Sequence, residues 1–225
     1  FIKENKELVL EGLKKRSFKN TEIIDQVIEL DEERKGTQTQ LNSLQAESNK
    51  ISKEIGKLFG QGKRDEANAM ARKAWRGGTL TDTVESTMME RFGSVLSIDD
   101  HDERMNALLW ARATKAARRQ LGLASSAQRP VFDARLAQLT NAPNANAKAS
   151  AVNAIARDDA GYLAGGSRLL RNRGRSFSAR RLLADRPVLR VKPQKPETWY
   201  QSLLLNAKAA ANDKQWSLAY NIASK

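Results

Sequence analysis

The chain has 225 residues, of which 40% are hydrophobic and 29% charged, as expected for a soluble globular or helical protein. It has no cysteine and one histidine, His101, which excludes a disulfide scaffold, a thiolate nucleophile and a multi-histidine metal site. The net charge of +13 is uneven, because residues 1–74 carry 15 Lys/Arg against 13 Asp/Glu and residues 75–225 carry 24 against 13. This shift predicts two segments of different character. The sequence shows no signal peptide and no apolar run of membrane-spanning length.

The first segment begins with two predicted helices. Residues 2–15 have the apolar spacing of a short amphipathic helix, and a polar break follows at residues 17–20. Asn20 or Thr21 is expected to cap the next helix. In that helix, residues 23–58, apolar side chains recur at spacings of three and four, the heptad pattern of a rod that packs along a partner. We call this face the heptad seam, whose apolar members are Ile23, Val27, Leu30, Leu41, Leu44, Ile51, Ile55 and Leu58.

A reversal of the chain is predicted after the rod. Gly60 and Gly62 are typical of a helix end and a tight turn, and residues 65–73 resume a helical pattern. Four cations surround this turn and are candidate contacts for nucleic-acid phosphates. The alternative is that they form the solvated face of a coiled coil. These tip cations are Lys53, Lys57, Lys63 and Arg64.

The runs ENKELVLEGLKKRSF and IIDQVIELDEERKGTQTQLNSLQAESNKISKEIGKLFGQGKRDEANAM resemble the N-terminal arm of bacterial seryl-tRNA synthetase. In that family the arm is an antiparallel coiled-coil hairpin that reaches the long variable arm of the serine tRNA. The resemblance therefore implies a coiled-coil arm over residues 1–73, with the tip cations at tRNA phosphates. The sequence departs from the family pattern in two ways: the returning helix is lost near Ala74, and no aminoacylation core follows.

Residues 74–225 are predicted to form a series of short helices. Thr79 or Thr81 is expected to cap one of them, and Asp99 or Asp100 the next. Short helix–turn–helix units in series predict an α-solenoid, with residues 187–196 as an extended linker. The predicted helices are 82–92, 99–110, 114–121, 127–139, 147–158, 161–171, 176–185, 197–211 and 214 to the end.

The runs DHDERMNALLWARATKAARRQL, GYLAGGSRLLRNRGRSFSARRLLADRP and PETWYQSLLLNAKAAANDKQWSLAYNIASK resemble the superhelical domain of soluble lytic murein transglycosylases. In that family the superhelix helps to hold peptidoglycan, and a separate lysozyme-like domain carries the catalytic glutamate. The pair Glu85-Ser86 lacks the sequence context of that glutamate. The resemblance therefore implies a scaffold without catalysis.

A second basic feature lies within this segment. Its arginines are candidates to clamp phosphates bidentately or to face the acidic peptide stems of peptidoglycan, and the alternative is a solvated basic surface. His101 lies between two acids and is expected to be structural, as are most of the aromatic residues. The arginine cluster comprises Arg168, Arg171, Arg173, Arg175, Arg180, Arg181, Arg186 and Arg190.

Together these observations predict an all-α protein with a coiled-coil arm at 1–73 and an α-solenoid at 74–225. The two resemblances imply a composite chain whose function is that of a non-catalytic, peptidoglycan-associated scaffold. The alternative is a nucleic-acid module that binds tRNA through the arm and the basic surface. No enzyme activity, cofactor or metal is expected.

The compartment is predicted to be periplasmic if the solenoid part determines it, and cytoplasmic if the arm does. The uncovered seam from Val27 to Leu58 predicts self-association, or docking of the rod on the solenoid.

Overall fold

The computed structural model describes residues 2–18, 20–189 and 191–224, without the side chains of Gln40, Leu44 and Ser48. Leu44 of the heptad seam and Arg190 of the arginine cluster therefore lie outside what is described. All regular structure in the described residues is helical, which confirms the all-α prediction. The chain divides into two compact units, Phe1–Lys63 and Arg64–Lys225. The predicted domain boundary at 73/74 stays a prediction.

The first unit contains α1 (Lys6–Lys15) and α2 (Ile23–Gly60). With 38 residues, α2 is about 57 Å long, so the predicted rod forms one uninterrupted helix. The predicted cap at Asn20 or Thr21 is wrong, because Glu22 is the N-cap and makes no side-chain capping bond. Ion pairs tie the chain around α1 to the acidic start of α2: Lys3 Nζ lies 2.8 Å from Glu32 Oε1, and Lys6 pairs with Asp25.

Much of the heptad seam is open in the first unit. Val27 is 40% exposed, Leu30 63% and Leu41 47%. At the start of the helix the register differs by one residue from the prediction, since Ile23 is exposed and Ile24 is buried. These large apolar side chains are exposed to water because none of the residues described in this unit covers them.

The second unit begins with α3 (Arg64–Arg76), α4 (Asp82–Phe92), α5 (Ile98–Trp110) and α6 (Thr114–Gln120). A buried polar network joins α3 to α4 and α5. The carboxylate of Asp100 is fully buried and binds Arg72 Nε at 2.8 Å and Arg76, while the Arg104 guanidinium lies 4.0 Å from the centre of the Trp75 ring. A buried charge without such partners would be costly, so this network fixes α3 against α5.

The N-cap of α4 is the predicted residue, whereas the N-cap of α5 is not. Thr81 caps α4 as predicted, accepting from the Val84 N–H at 3.4 Å. The predicted cap of α5 at Asp99 or Asp100 is wrong: Ser97 is the N-cap, and it forms a reciprocal capping box with Asp100. Asp100 is therefore both the third residue of the helix and the acceptor for two arginines.

The remaining helices form three successive hairpins, in which α7 pairs with α8, α9 with α10, and α11 with α12. Each first helix also contacts the next, α7 with α9 and α9 with α11, as in a solenoid. The predicted boundaries lie within two residues of those observed. No helix in the described ranges is both long and apolar enough to cross a membrane. The observed bounds are α7 Arg129–Leu139, α8 Ala145–Ala156, α9 Ala160–Asn172, α10 Ser176–Ala184, α11 Pro196–Asn212 and α12 Trp216–Ala223.

Candidate nucleic-acid interface

The end of α2 is built by a glycine-dependent cap. The Lys63 N–H donates to the Leu58 carbonyl at 3.0 Å, and the Gly62 N–H donates to the Phe59 carbonyl at 3.0 Å. This pair of bonds is the Schellman motif, and it requires a left-handed residue, which Gly62 provides with a φ of 73°. The predicted reversal after the rod is therefore a defined helix end, followed at once by Arg64 of α3.

Three lysines lie on one face of α2 close to this end. Lys50, Lys53 and Lys57 are spaced by three and four residues, which places them above one another on the helix. All three are exposed, and none makes an ion pair within the described part of the chain. We call these three residues the lysine stripe.

The lysine stripe and the heptad seam occupy different sides of α2. At 100° per residue, the stripe lies roughly opposite the seam positions Ile51, Ile55 and Leu58. A helix that covered the seam would therefore leave the stripe open to a ligand. The arrangement is that of an amphipathic rod whose polar face is basic near one end.

The two halves of α2 differ in charge. Residues 23–36 contain five acids and two cations, whereas residues 37–63 contain four lysines and two glutamates. Three of the five acids, Asp25, Asp31 and Glu32, have cationic partners. Hydrogen bonds from Lys35 and Arg34, both 2.8 Å away, lower the pKa of Asp31. Positive potential is therefore concentrated at the C-terminal half of the helix.

The four predicted tip cations belong to different elements of the structure. Lys53 and Lys57 share the lysine stripe, Lys63 follows at the helix cap, and Arg64 is the first residue of α3 in the second unit. All four are exposed. Lys50 was missed by the sequence prediction, although its spacing from Lys53 and Lys57 was the signal that identifies it. Whether any of them binds a ligand stays a prediction.

The arginine cluster does not form one basic patch. Arg180 is buried and pairs with Asp213 at 2.6 Å, and Arg181 pairs with Asp185 at 3.3 Å. Arg173 donates to Asn141 Oδ1 at 2.9 Å, and Arg175 lines a separate cavity. Two of the described members, Arg168 and Arg171, line one cavity together.

The comparisons with known proteins concern the N-terminal part of the chain. Residues 1–101 match the family model of the seryl-tRNA synthetase N-terminal domain. A serine–tRNA ligase of Thermotoga neapolitana is 40% identical over 77 residues, which are 34% of this chain and 18% of the ligase. Those of Petrotoga mobilis and Salinibacter ruber are 43% identical over 67 residues and 31% identical over 75 residues, covering 16% and 18% of the ligases. No solved structure matches the chain.

These matches bear on the two resemblances differently. They support the synthetase-type arm, and the family match continues past the predicted junction at Ala74 as far as residue 101. They give no support to the resemblance of residues 74–225 to murein transglycosylases, nor to a composite chain. The matched segments span less than a fifth of the ligases to which they are similar.

Proposed function

We propose that this chain binds tRNA through its N-terminal arm, with the lysine stripe contacting phosphates. The observation that carries the proposal is that the match to the seryl-tRNA synthetase N-terminal domain includes the whole basic half of α2. By their printed names, the ligases that match act on a tRNA.

The geometry of the stripe suits phosphate binding. Lys50, Lys53 and Lys57 are exposed and pair with no carboxylate of the described residues, so a phosphate can approach them without breaking an ion pair seen there. Each phosphate neutralised releases counterions, and for nucleic acids the binding constant then falls with salt by a log–log slope of about 0.7 to 0.9 per contact. We therefore expect the stripe to contribute roughly two to three to that slope.

The proposal assigns binding and no reaction. The expectation that the chain has no enzyme activity of its own stays a prediction. The peptidoglycan scaffold has only the resemblance of residues 74–225 in its favour, and the comparisons add no support to it. The basic half of α2 favours a polyanionic partner instead.

The test measures binding of a serine tRNA with a long variable arm against a tRNA with a short one, at about 0.1 and 0.3 M salt. The stripe variant carries Lys50→Ala, Lys53→Ala and Lys57→Ala. Its matched control carries Lys14→Ala, Lys115→Ala and Lys192→Ala, three exposed lysines elsewhere, so that both variants have the same net charge.

We expect the wild type to prefer the long-armed tRNA. The stripe variant should lose about tenfold or more of its affinity at the lower salt, and its salt slope should fall by about two to three. The control should change affinity by less than about twofold. Equal losses in the two variants would show that only net charge is sensed, and the proposal would then be wrong.

A further inference from the structure

The second unit contains a cavity of about 420 Å³ lined by four arginines. It lies among α5, α7, α9 and α11, which are neighbouring helices along the solenoid. No lining residue in the described part of the chain is acidic. We call it the arginine cavity, and its arginines are Arg112, Arg135, Arg168 and Arg171.

One of the four has its own partners. Arg135 is 3% exposed, donates from Nη1 to Asn106 Oδ1 at 2.8 Å and lies 3.7 Å from Asp159 Oδ2. A Cβ at Gly161 would lie 2.1 Å from Arg135 Nη2, so the glycine in α9 is what leaves room for this guanidinium. Because glycine weakens a helix by about 1 kcal/mol relative to alanine, the fold gives up stability to place Arg135 in the wall.

The side chains of the other three make no ion pair or hydrogen bond with the described residues. Burial, together with the positive charges of Arg112 and Arg171, lowers the pKa of Arg168, and the Nε of Arg171 is buried without a hydrogen-bond partner. Other arginines of this unit do have acidic partners, as Arg180 has Asp213 and Arg104 has Glu85. Arg112, Arg168 and Arg171 line one cavity whose described lining has no acidic side chain, and an anion would offset the repulsion that Arg168 experiences from the other two.

The backbone at Arg112 gives a second, independent observation. The Ala113 N–H donates to the Leu108 carbonyl at 2.9 Å and the Arg112 N–H to the Leu109 carbonyl at 3.1 Å, which is again a Schellman cap. The left-handed position of this cap normally holds glycine, yet here it is Arg112, with a φ of 58°. A residue with a Cβ in this conformation costs on the order of 1 kcal/mol relative to glycine, and here that residue places a guanidinium at the cavity wall.

We propose that the arginine cavity binds a small compound with two linked phosphate groups, held by Arg112, Arg168 and Arg171. A diphosphate concentrates about three negative charges in a compact group at neutral pH, and guanidinium forks match its oxygens bidentately. Leu109, Leu139 and Leu205 line the same cavity and leave space for an organic part of the ligand. A volume of about 420 Å³ is in the range of small-molecule sites.

The test is isothermal titration of the full chain with inorganic pyrophosphate and with ADP, and with citrate as a tricarboxylate of similar charge. We expect both phosphate compounds to bind one to one, and citrate to bind at least about tenfold more weakly because its charges are spread over separate groups. If only inorganic pyrophosphate binds, the ligand is a free diphosphate; if both bind, the site also admits an organic part. Citrate binding as tightly as pyrophosphate would overturn the assignment to phosphate.

Variants separate binding from folding. Arg168→Gln and Arg171→Gln should each weaken pyrophosphate binding by about tenfold or more, since each removes charge-assisted hydrogen bonds. Arg112→Gly should do the same without lowering the thermal midpoint, because glycine is the preferred residue at that cap. Arg181→Gln removes a charge that is paired with Asp185 and does not line the cavity, so affinity should stay within about twofold.

Two results would refute the proposal: no binding of pyrophosphate at about 1 mM, or binding to Arg168→Gln and Arg171→Gln as tight as to the wild type. The proposal is independent of tRNA binding by the arm, because it uses residues of Arg64–Lys225 only. Failure of either test leaves the other unaffected.

Discussion

The indole Nε1 of Trp75 lies 3.3 Å from the Nδ1 of His101, and the two rings meet edge to face with centroids 5.7 Å apart. An indole N–H can only donate, so Nδ1 must accept, which fixes His101 as the neutral tautomer protonated on Nε2. The Nε2 of Gln120 lies 3.2 Å from the same Nδ1. The histidine between two acids is therefore part of the core that holds α3, as expected from the sequence.

This neutral histidine predicts a dependence of stability on pH. Burial lowers the pKa of His101 below its usual 6.5, with Asp100 opposing the shift. Below about pH 6.5 the unfolded chain therefore binds a proton that the folded chain does not, and the free energy of unfolding falls as pH decreases. Urea titrations between pH 5 and 7.5 should show the free energy of unfolding rising with pH, and the steepness of that rise is the slope to compare between variants. Because the chain has one histidine, His101→Gln should flatten it, and an unchanged slope in that variant would contradict the assignment.

Asp100 is expected to be the most sensitive single charge in the second unit. Burial alone would raise its pKa, but hydrogen bonds from Ser97, Arg76 and Arg72 outweigh burial and hold the pKa well below its usual range. Asp100→Asn keeps the shape, removes the charge and should lower the free energy of unfolding by about 3 kcal/mol. The control is Glu103→Gln, an exposed acid 3.5 Å from Arg76 Nε, which should cost less than about 1 kcal/mol. Similar losses in both would show that the buried network is unimportant.

Gly78 and Gly36 should respond to alanine with opposite signs. Gly78 has a φ of +103°, and a Cβ there would lie 3.1 Å from the Ala107 Cβ, so Gly78→Ala should destabilise the second unit by roughly 1–3 kcal/mol. Gly36 lies inside α2 with nothing within 4 Å of an added Cβ. Gly36→Ala should therefore stabilise that helix by about 0.5–1 kcal/mol. Thermal melts followed by circular dichroism measure both, and a destabilising Gly36→Ala would be the contrary result.

The helices could be predicted from sequence because their signals are local. These signals are apolar spacing, a capping threonine and glycine turns. With them, α4 begins and ends at the predicted residues, and α9 lies within one residue of its predicted bounds at each end. The position of α3 could not be predicted in this way. Its helix is visible in sequence, but Asp100, which binds Arg72 and Arg76, lies more than twenty residues further along the chain. Nothing local marks that partner.

The candidate binding residues could likewise be predicted from sequence only where their arrangement is local. The lysine stripe could be read from the sequence, because three residues at helical spacing on a known helix must share a face. The arginine cluster could not, since neighbours in sequence go to different places: Arg168 faces a cavity, whereas Arg180 binds Asp213. Arg112 is more than fifty residues from Arg168, and only the stacking of α5 against α9 brings both to one cavity.

The open heptad seam predicts self-association through α2. Val27, Leu30 and Leu41 are 40%, 63% and 47% exposed, and at heptad spacing they form a stripe that a second copy of the same helix can cover. Sedimentation velocity should therefore show a concentration-dependent dimer. Val27→Asp together with Leu41→Asp should shift the chain to monomer, since each dimer would bury those charges in its seam.

Val191→Asp is the control for the dimer test, because Val191 is 78% exposed but lies in the second unit, away from any heptad pattern. A wild type that stays monomeric up to about 0.1 mM would show that the seam does not pair two copies, because that concentration is well above a micromolar dissociation constant.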